Sequence, residues 1–502
     1  MLYSSTMANY TKKFLVNVGK VFIVSIIAAF IGYIIRIYFA RSLTVEEFGL
    51  FYSIIAFLAI FVIFITFGLD RALVYFIPKF LAESKPEKIK NSVLYVALVL
   101  LVNNIIFIII LSFFARFLGA NLFKNEIAST ILMLMAVSFF IDTFVLIIQS
   151  SFQGFQMMGT FSSINIARMS LILVISFIFF KLGLGILSPV IAYIITPIIL
   201  ILVYSFLLYK KNKNIFSIHK LTWQKPLFKK LYKYGSYMIL LTIGGVILGH
   251  SDRLMITAYR TLEEVGIYSA VFPTAMLFSY VPYAIGKVLF PITSELWSKG
   301  LKVEFRKGVE LLYRSYFMVL LPTSFLIFTF SGVLLELFYG AAYASGGFAL
   351  KILAISAIFL SLSSINGNIL SGIGKPKIYT LIIITGTIMN VILNIIFIPK
   401  FGISGAAMAT GISFALMMFI GYSILVKKKL VTLPYVHWFK TLLISLAFLF
   451  IINYLNMNLA MNLFLKIFII LAISGTFYVA ALFIFKLITV PEVKELVKRV
   501  RA

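Results

Sequence analysis

Charge in this chain is confined to short phrases, and long apolar stretches run between them. LYVALVLLVNNIIFIIILSFF, residues 94–114, carries no charged residue and reaches the ~20 residues that cross a bilayer core as a helix. With glycine, proline and charged residues read as breaks, the pattern predicts about fourteen such helices by the same length criterion. They fall at 15–40, 48–69, 92–115, 128–150, 160–181, 187–209, 236–259, 265–290, 312–335, 347–371, 377–398, 403–426, 438–456 and 464–487. The expected fold class is an all-α polytopic membrane protein.

Composition agrees with the pattern. Hydrophobic residues make up 62% of the 502 and charged residues 12%, where a soluble domain is nearer half apolar and a quarter charged. The formal charge of +28 would suit nucleic acid, but its distribution points elsewhere. Sorting the connecting segments alternately puts Lys79, Lys85, Lys88, Lys90, the lysines of 210–233, Lys299, Lys302, Lys375, Lys377 and Lys427 to Lys429 on one side. The other side holds few cations, such as Arg41, Lys124, Arg260 and Lys400. The positive-inside rule then places both termini in the cytoplasm, in a multi-pass cell-membrane protein. Lys12 and Lys13 precede the first span without a small-residue cleavage site, the pattern of an uncleaved first helix. Cysteine is absent and the three histidines, His219, His250 and His437, are scattered, which excludes a disulfide framework and argues against a zinc site.

One polar phrase occurs twice, as RSLTVEEFGLFYS at 41–53 and RTLEEVGIYS at 260–269, with the paired glutamates 217 positions apart (263 − 46). Gly154 and Gly372 in QGFQMMGTF and SGIGKPKIYT are 218 apart, and Lys181 and Lys400 are 219 apart. Three anchors at nearly constant offset read as a tandem duplication of six helices plus a terminal pair. The expected domains are a first lobe at 1–210, a basic cytoplasmic linker at 211–235, a second lobe at 236–428, and the terminal pair with its basic tail at 429–502. Six is even, so the repeats are parallel and related by an axis along the membrane normal, with a binding site expected near their interface. The phrase itself is read as a structural turn, with Gly49 and Gly266 suiting a tight helix start and the glutamates answering the helix dipole.

The phrase EEFGLFYS after the first helix, HSDRLMI in the seventh, EEVGIYS after it and KVLFPITSEL at the end of the eighth together resemble the polysaccharide, or lipid-linked oligosaccharide, flippase family of the multidrug/oligosaccharidyl-lipid/polysaccharide exporter superfamily. The resemblance covers essentially the whole chain in helix count, duplication and motif order. It implies two six-helix bundles around a central cavity that faces each side in turn, cationic where a lipid diphosphate must fit.

Charges inside membrane helices are costly and mark function by default. Candidates at helical spacing are Arg36 on the first helix, Asp142 and Gln149 on the fourth, and Asn165 and Arg168 on the fifth. Asp252 and Arg253 follow on the seventh, Asn368 on the tenth and Asn390 on the eleventh. Arg36 and Arg253 are 217 apart (253 − 36) and so occupy the same position in the two copies. Arginine's planar fork suits a diphosphate; the amides suit sugar hydroxyls. Against this, small and amide side chains also serve as interhelical glue, and the two outer arginines could snorkel to the interface.

The expected function is transport of a polyprenyl-diphosphate-linked oligosaccharide from the cytoplasmic to the outer leaflet. An ion-coupled multidrug or organic-cation antiporter of the same superfamily is the alternative. No outer loop is long enough to form an enzyme domain, and SGIGKP at 371–376 only superficially resembles a phosphate loop, so no enzyme and no cofactor are expected. A coupling cation, proton or sodium, is left open, with Asp142 and Asp252 as the best carboxylates for it. Expected partners are the lipid-linked oligosaccharide, anionic lipids at the cytoplasmic face and glycosyltransferases of the same pathway; no nucleic acid is expected.

Overall fold

The computed structural model describes residues 24–217, 224–277, 294, 296–432 and 434–488. Lys12 and Lys13, part of the basic linker, most of KVLFPITSEL and the basic tail lie outside the described residues. Sixteen α-helices make up the described chain. They are α1 (Val24–Ser42), α2 (Val45–Thr66), α3 (Leu69–Ala82), α4 (Pro86–Leu118), α5 (Ala128–Gly154), α6 (Met158–Lys181), α7 (Leu187–Lys211), α8 (Lys213–Phe216), α9 (Lys225–Tyr259), α10 (Leu262–Met276), α11 (Lys302–Thr329), α12 (Ser331–Tyr339), α13 (Gly347–Gly372), α14 (Pro376–Lys427), α15 (Tyr435–Asn458) and α16 (Leu463–Ile484). Among the described residues, twelve stretches are long and apolar enough to span a membrane. The 52-residue α14 bends at Gly402 (φ 55°, ψ −135°) and holds the eleventh and twelfth predicted spans. With the eighth only partly described, the helices agree with the fourteen-span reading. Their outer faces are apolar, down to Phe113 at 80% exposure, as lipid contact requires and water would not tolerate in such number.

Two compact units are present. The first comprises the chain to Ala270 with Phe338–Ala342 and Thr387–Ala406; the second comprises Val271–Leu337, Tyr343–Gly386 and the chain from Ala407.

In the first unit the repeated phrase opens two helices in the same way. Thr44 caps α2: its hydroxyl accepts from the Glu47 N–H (3.1 Å) while the Glu47 carboxylate accepts from the Thr44 N–H (2.9 Å). Such a box holds a helix start by about 1 kcal/mol. In the second copy the Thr261 hydroxyl accepts from the Glu264 N–H (3.2 Å), and the Glu264 carboxylate turns to Arg260 (2.8 Å). The glutamates thus answer the dipole as expected. The glycines do not start the helices, which begin at Val45 and Leu262; each stands one turn in, for a different reason. A Cβ on Gly49 would collide with the Leu262 carbonyl, and a Cβ on Gly266 with the Val45 carbonyl. Leu262 is Val45 moved by 217 positions, as Gly266 is Gly49. The two collisions are therefore one contact seen from both sides of a two-fold axis that relates the copies.

α2 continues along α9. The Ser53 and Thr257 hydroxyls meet at 2.7 Å. At the far end, Phe67 and Gly68 both adopt left-handed backbone (φ 50° and 64°) and break the helix. There a Cβ on Gly68 or Gly235 would again strike the other helix's backbone. The predicted helix end near Asp70 is instead this break: the chain restarts as α3, with Asp70 in its first turn, 3.4 Å from Arg71.

The second unit has its own core. Ile444, Phe448 and Ile452 of α15 pack with Ile470, Tyr478 and Leu482 of α16 and with Met318 of α11, whose carbonyl accepts from the Tyr478 hydroxyl at 2.7 Å. Tyr313 donates to the Asn366 side chain (2.6 Å), which donates in turn to the Met418 carbonyl (3.1 Å).

The glycine contact predicts a specific failure. The chain has no cysteine, so the S53C/T257C pair reports α2–α9 closure by its rate of disulfide formation. Gly49→Ala in that background is expected to slow it at least about fivefold, the low end of an overpacking cost of about 1–3 kcal/mol. Gly159→Ala, where a Cβ meets nothing within 4 Å, should leave the rate unchanged.

Candidate functional site

Three polar groupings in the first unit hold eight of the nine candidate residues. The first lies between α5 and α6, which run antiparallel. Arg168 is ion-paired with Asp142, and two turns along, Gln149 donates to the Asn165 amide oxygen (3.0 Å). Their spacings, 142 to 149 on one helix and 165 to 168 on the other, keep each pair on one face. The pair is only partly shielded, with the Arg168 and Asp142 side chains 20% and 38% exposed.

The second grouping joins α1, α2 and α10. The Arg36 guanidinium donates to the Ser269 carbonyl (2.6 Å) and lies 4.2 Å from the centroid of the Tyr52 ring, a cation–π contact. Both partners come from the repeated phrase, one from each copy. Arg36 is thus tied into the protein.

The third grouping surrounds Asp252 on α9, which is only 4% exposed. The Tyr268 hydroxyl donates to one carboxylate oxygen (2.5 Å); Asn394 (2.7 Å) and Asn390 (3.2 Å) of α14 donate to the other. Ser251 donates to the Asn390 amide oxygen (2.9 Å). A buried carboxylate persists only with such partners. Arg253, the next residue, reaches back to the Gly249 carbonyl (3.4 Å) and stands within electrostatic reach of Arg36, Asp252, Tyr52 and Tyr268.

Tyr193 of α7 links the groupings. It lies within electrostatic reach of Arg36, Arg168, Asp142 and Tyr52, accepts the Ser138 hydroxyl at its carbonyl (2.6 Å) and packs edge-on against Phe51. Three arginines, two aspartates and three tyrosines therefore form one cluster of net charge +1. Asn368 belongs to the second unit, half-buried on α13. Of two further polar residues in the helices, Thr387 ties α14 to the Gly244 carbonyl of α9 (2.9 Å) and so acts as interhelical glue, whereas Ser361 bonds the Ala357 carbonyl of its own helix (2.7 Å).

Sequence reasoning named the arginines and aspartates and missed Tyr52, Tyr193 and Tyr268. Two of these stand in the repeated phrase, which was read as a turn only. Tyr193 sits in an apolar helix without a polar stripe, and nothing local marks it.

Comparison with known proteins places this architecture. Residues 14–297 match the family model described as polysaccharide biosynthesis protein. An uncharacterized membrane protein of Methanocaldococcus jannaschii is 30% identical over 94% of this chain and 96% of its own length. The probable low-salt glycan biosynthesis flippase Agl15 of Haloferax volcanii is 28% identical over 38% of this chain and 41% of its length. Among solved structures, the lipid II flippase MurJ in an inward closed conformation superposes with a TM-score of 0.74 at 18% identity, over 92% of this chain and 98% of that one. The chain belongs to the polysaccharide biosynthesis protein family.

Proposed function

We propose that this protein flips a polyprenyl-diphosphate-linked oligosaccharide, a polysaccharide precursor, from the cytoplasmic to the outer leaflet by alternating access, with both termini cytoplasmic. The observation that carries this reading is the cluster of Arg36, Arg168 and Arg253 against Asp142 and Asp252, with its net positive charge in a membrane interior. A cationic site of low dielectric favours an anionic guest, and arginine forks match phosphate oxygens in pairs. A site for organic cations would carry the opposite balance. Gln149, Asn165, Asn390 and, in the second unit, Asn368 supply amides for sugar hydroxyls.

The lipid tail also has a candidate place. A cavity of about 410 Å³ lies between α15 and α16, lined by Leu443, Ile444, Ala447, Phe477, Ala481 and Ile484, with Lys440 among its walls. Its apolar lining suits a polyprenyl chain. The relative from Haloferax volcanii, named a glycan biosynthesis flippase, supports the same substrate class.

Binding of a polyprenyl-diphosphate oligosaccharide to purified protein tests the reading, with an organic cation as control. Arg36→Ala, Arg168→Ala and Arg253→Ala should each weaken lipid binding by roughly 10- to 100-fold, the worth of one charge-assisted hydrogen bond. Normal lipid binding by all three variants would overturn it.

Of the two aspartates, Asp252 is the better place for a coupling cation, being the more buried and ringed by amide and hydroxyl oxygens as well as donors. In proteoliposomes, Asp252→Asn is expected to abolish the response of transport to an imposed proton or sodium gradient, while Asp142→Asn keeps it. An unchanged gradient response in the Asp252 variant would remove it from that role.

A further inference from the structure

Where the first turns of α4 and α9 meet the last turn of α3, the first unit holds a second cavity, of about 710 Å³. Its walls include Lys88, Lys225 and Lys230, with Phe80, Gln224 and Leu227, and among the described residues no carboxylate lines it. The volume falls within the roughly 300–1,000 Å³ typical of small-molecule sites.

Several features shape it for an anion. Lys88 is the third residue of α4 and Lys225 the first of α9, so two long helices present their positive ends to one space. No side chain caps either helix start. The nearby Glu83 pairs with Lys85 (2.9 Å) and Lys79 (4.0 Å) and lies within electrostatic reach of Lys230, and the one acid in the first turn of α4, Glu87, is not part of the lining. The Lys230 ammonium rests 5.5 Å from the Phe76 ring centroid, a cation–π contact that helps to position the charge.

The walls are also rigid. Phe80 and Leu227 belong to the buried core formed by α3, α4 and α9. The Gln224 N–H donates to the Tyr95 hydroxyl (2.6 Å), which fixes the entry into α9. A firm apolar floor with a cationic rim is therefore preformed at the lysine-rich end of the helices.

We propose that this cavity binds a phosphate-bearing anion, presented either as the headgroup of an anionic lipid or as a free phosphate compound. The site is separate from the arginine cluster and does not rest on the transport reading.

The test uses the full-length protein in neutral detergent. Phosphatidylglycerol retention, with phosphatidylcholine as competitor, is read by native mass spectrometry, and inorganic pyrophosphate binding by calorimetry. The K88Q/K225Q/K230Q variant is compared with K210Q/K427Q/K429Q, which removes the same charge elsewhere. At least one probe should bind and should weaken about tenfold or more in the first variant, from the attraction of three lysines to an anionic group, and less than twofold in the second. Loss of phosphatidylglycerol alone assigns the site to a lipid headgroup; loss of pyrophosphate alone assigns it to a soluble phosphate. Binding of neither probe, or equal weakening in both variants, overturns the proposal. If the triple variant does not elute as a single species, the three single substitutions replace it, each expected to weaken binding two- to threefold.

Discussion

In lipid, two helices gain little from burying apolar side chains against each other, because the acyl chains are as apolar as leucine. What holds them is close packing and the polar contacts that closeness permits. The mutual approach of Gly49 and Gly266 meets that constraint in this protein. With no side chain on either, the start of each helix comes up against the other's first-turn carbonyl. Any larger residue would hold the helices apart and lengthen the contacts that follow. Arg36 reaches the Ser269 carbonyl, and Ser53 reaches Thr257, because those backbones are already close.

The duplication makes the arrangement two-fold in backbone but not in chemistry. Arg36 and Arg253 are equivalent, yet the first bonds across to the other copy and the second back along its own helix. Asp252 corresponds to Ile35, and its partners Asn390 and Asn394 correspond to Leu171 and Ile175. Conversely, Asp142 corresponds to Leu360 and Arg168 to Thr387. Each copy has put a carboxylate where its counterpart kept an aliphatic residue. One carboxylate is answered by an arginine and the other by neutral donors, which leaves the cluster with its single excess positive charge. A strictly symmetric pair could not hold one ion pair and one amide-ringed acid.

Much of this was legible in the sequence, and the limits have physical reasons. The number of spans follows from hydropathy, a signal that is strong and local in a membrane chain. Charged candidates stand out because a charge in such helices is rare. The break at Phe67–Gly68 was missed because a phenylalanine in left-handed backbone has no local signature; it depends on Gly235 from a distant helix. The role of Gly49 was misread for the same reason. A glycine one turn into a helix looks like a cap signal, and only the equivalent glycine 217 residues away shows it to be a contact. The tyrosines escaped because their hydroxyls act only once three helices bring charges to them.

On the proposed cycle, these contacts carry a further consequence. Arg36 takes its acceptor from the other copy, so parting the copies at this end removes the Ser269 carbonyl from its reach. A guanidinium left without an acceptor in a low-dielectric site is costly. A diphosphate offers the oxygens that the carbonyl withdraws, and does so with charge. On that reading the backbone satisfies Arg36 in the form described, through the Ser269 carbonyl, and substrate would satisfy it in the open one. The energetic difference between an empty and a loaded opening then rests on the same few ångströms that the paired glycines set.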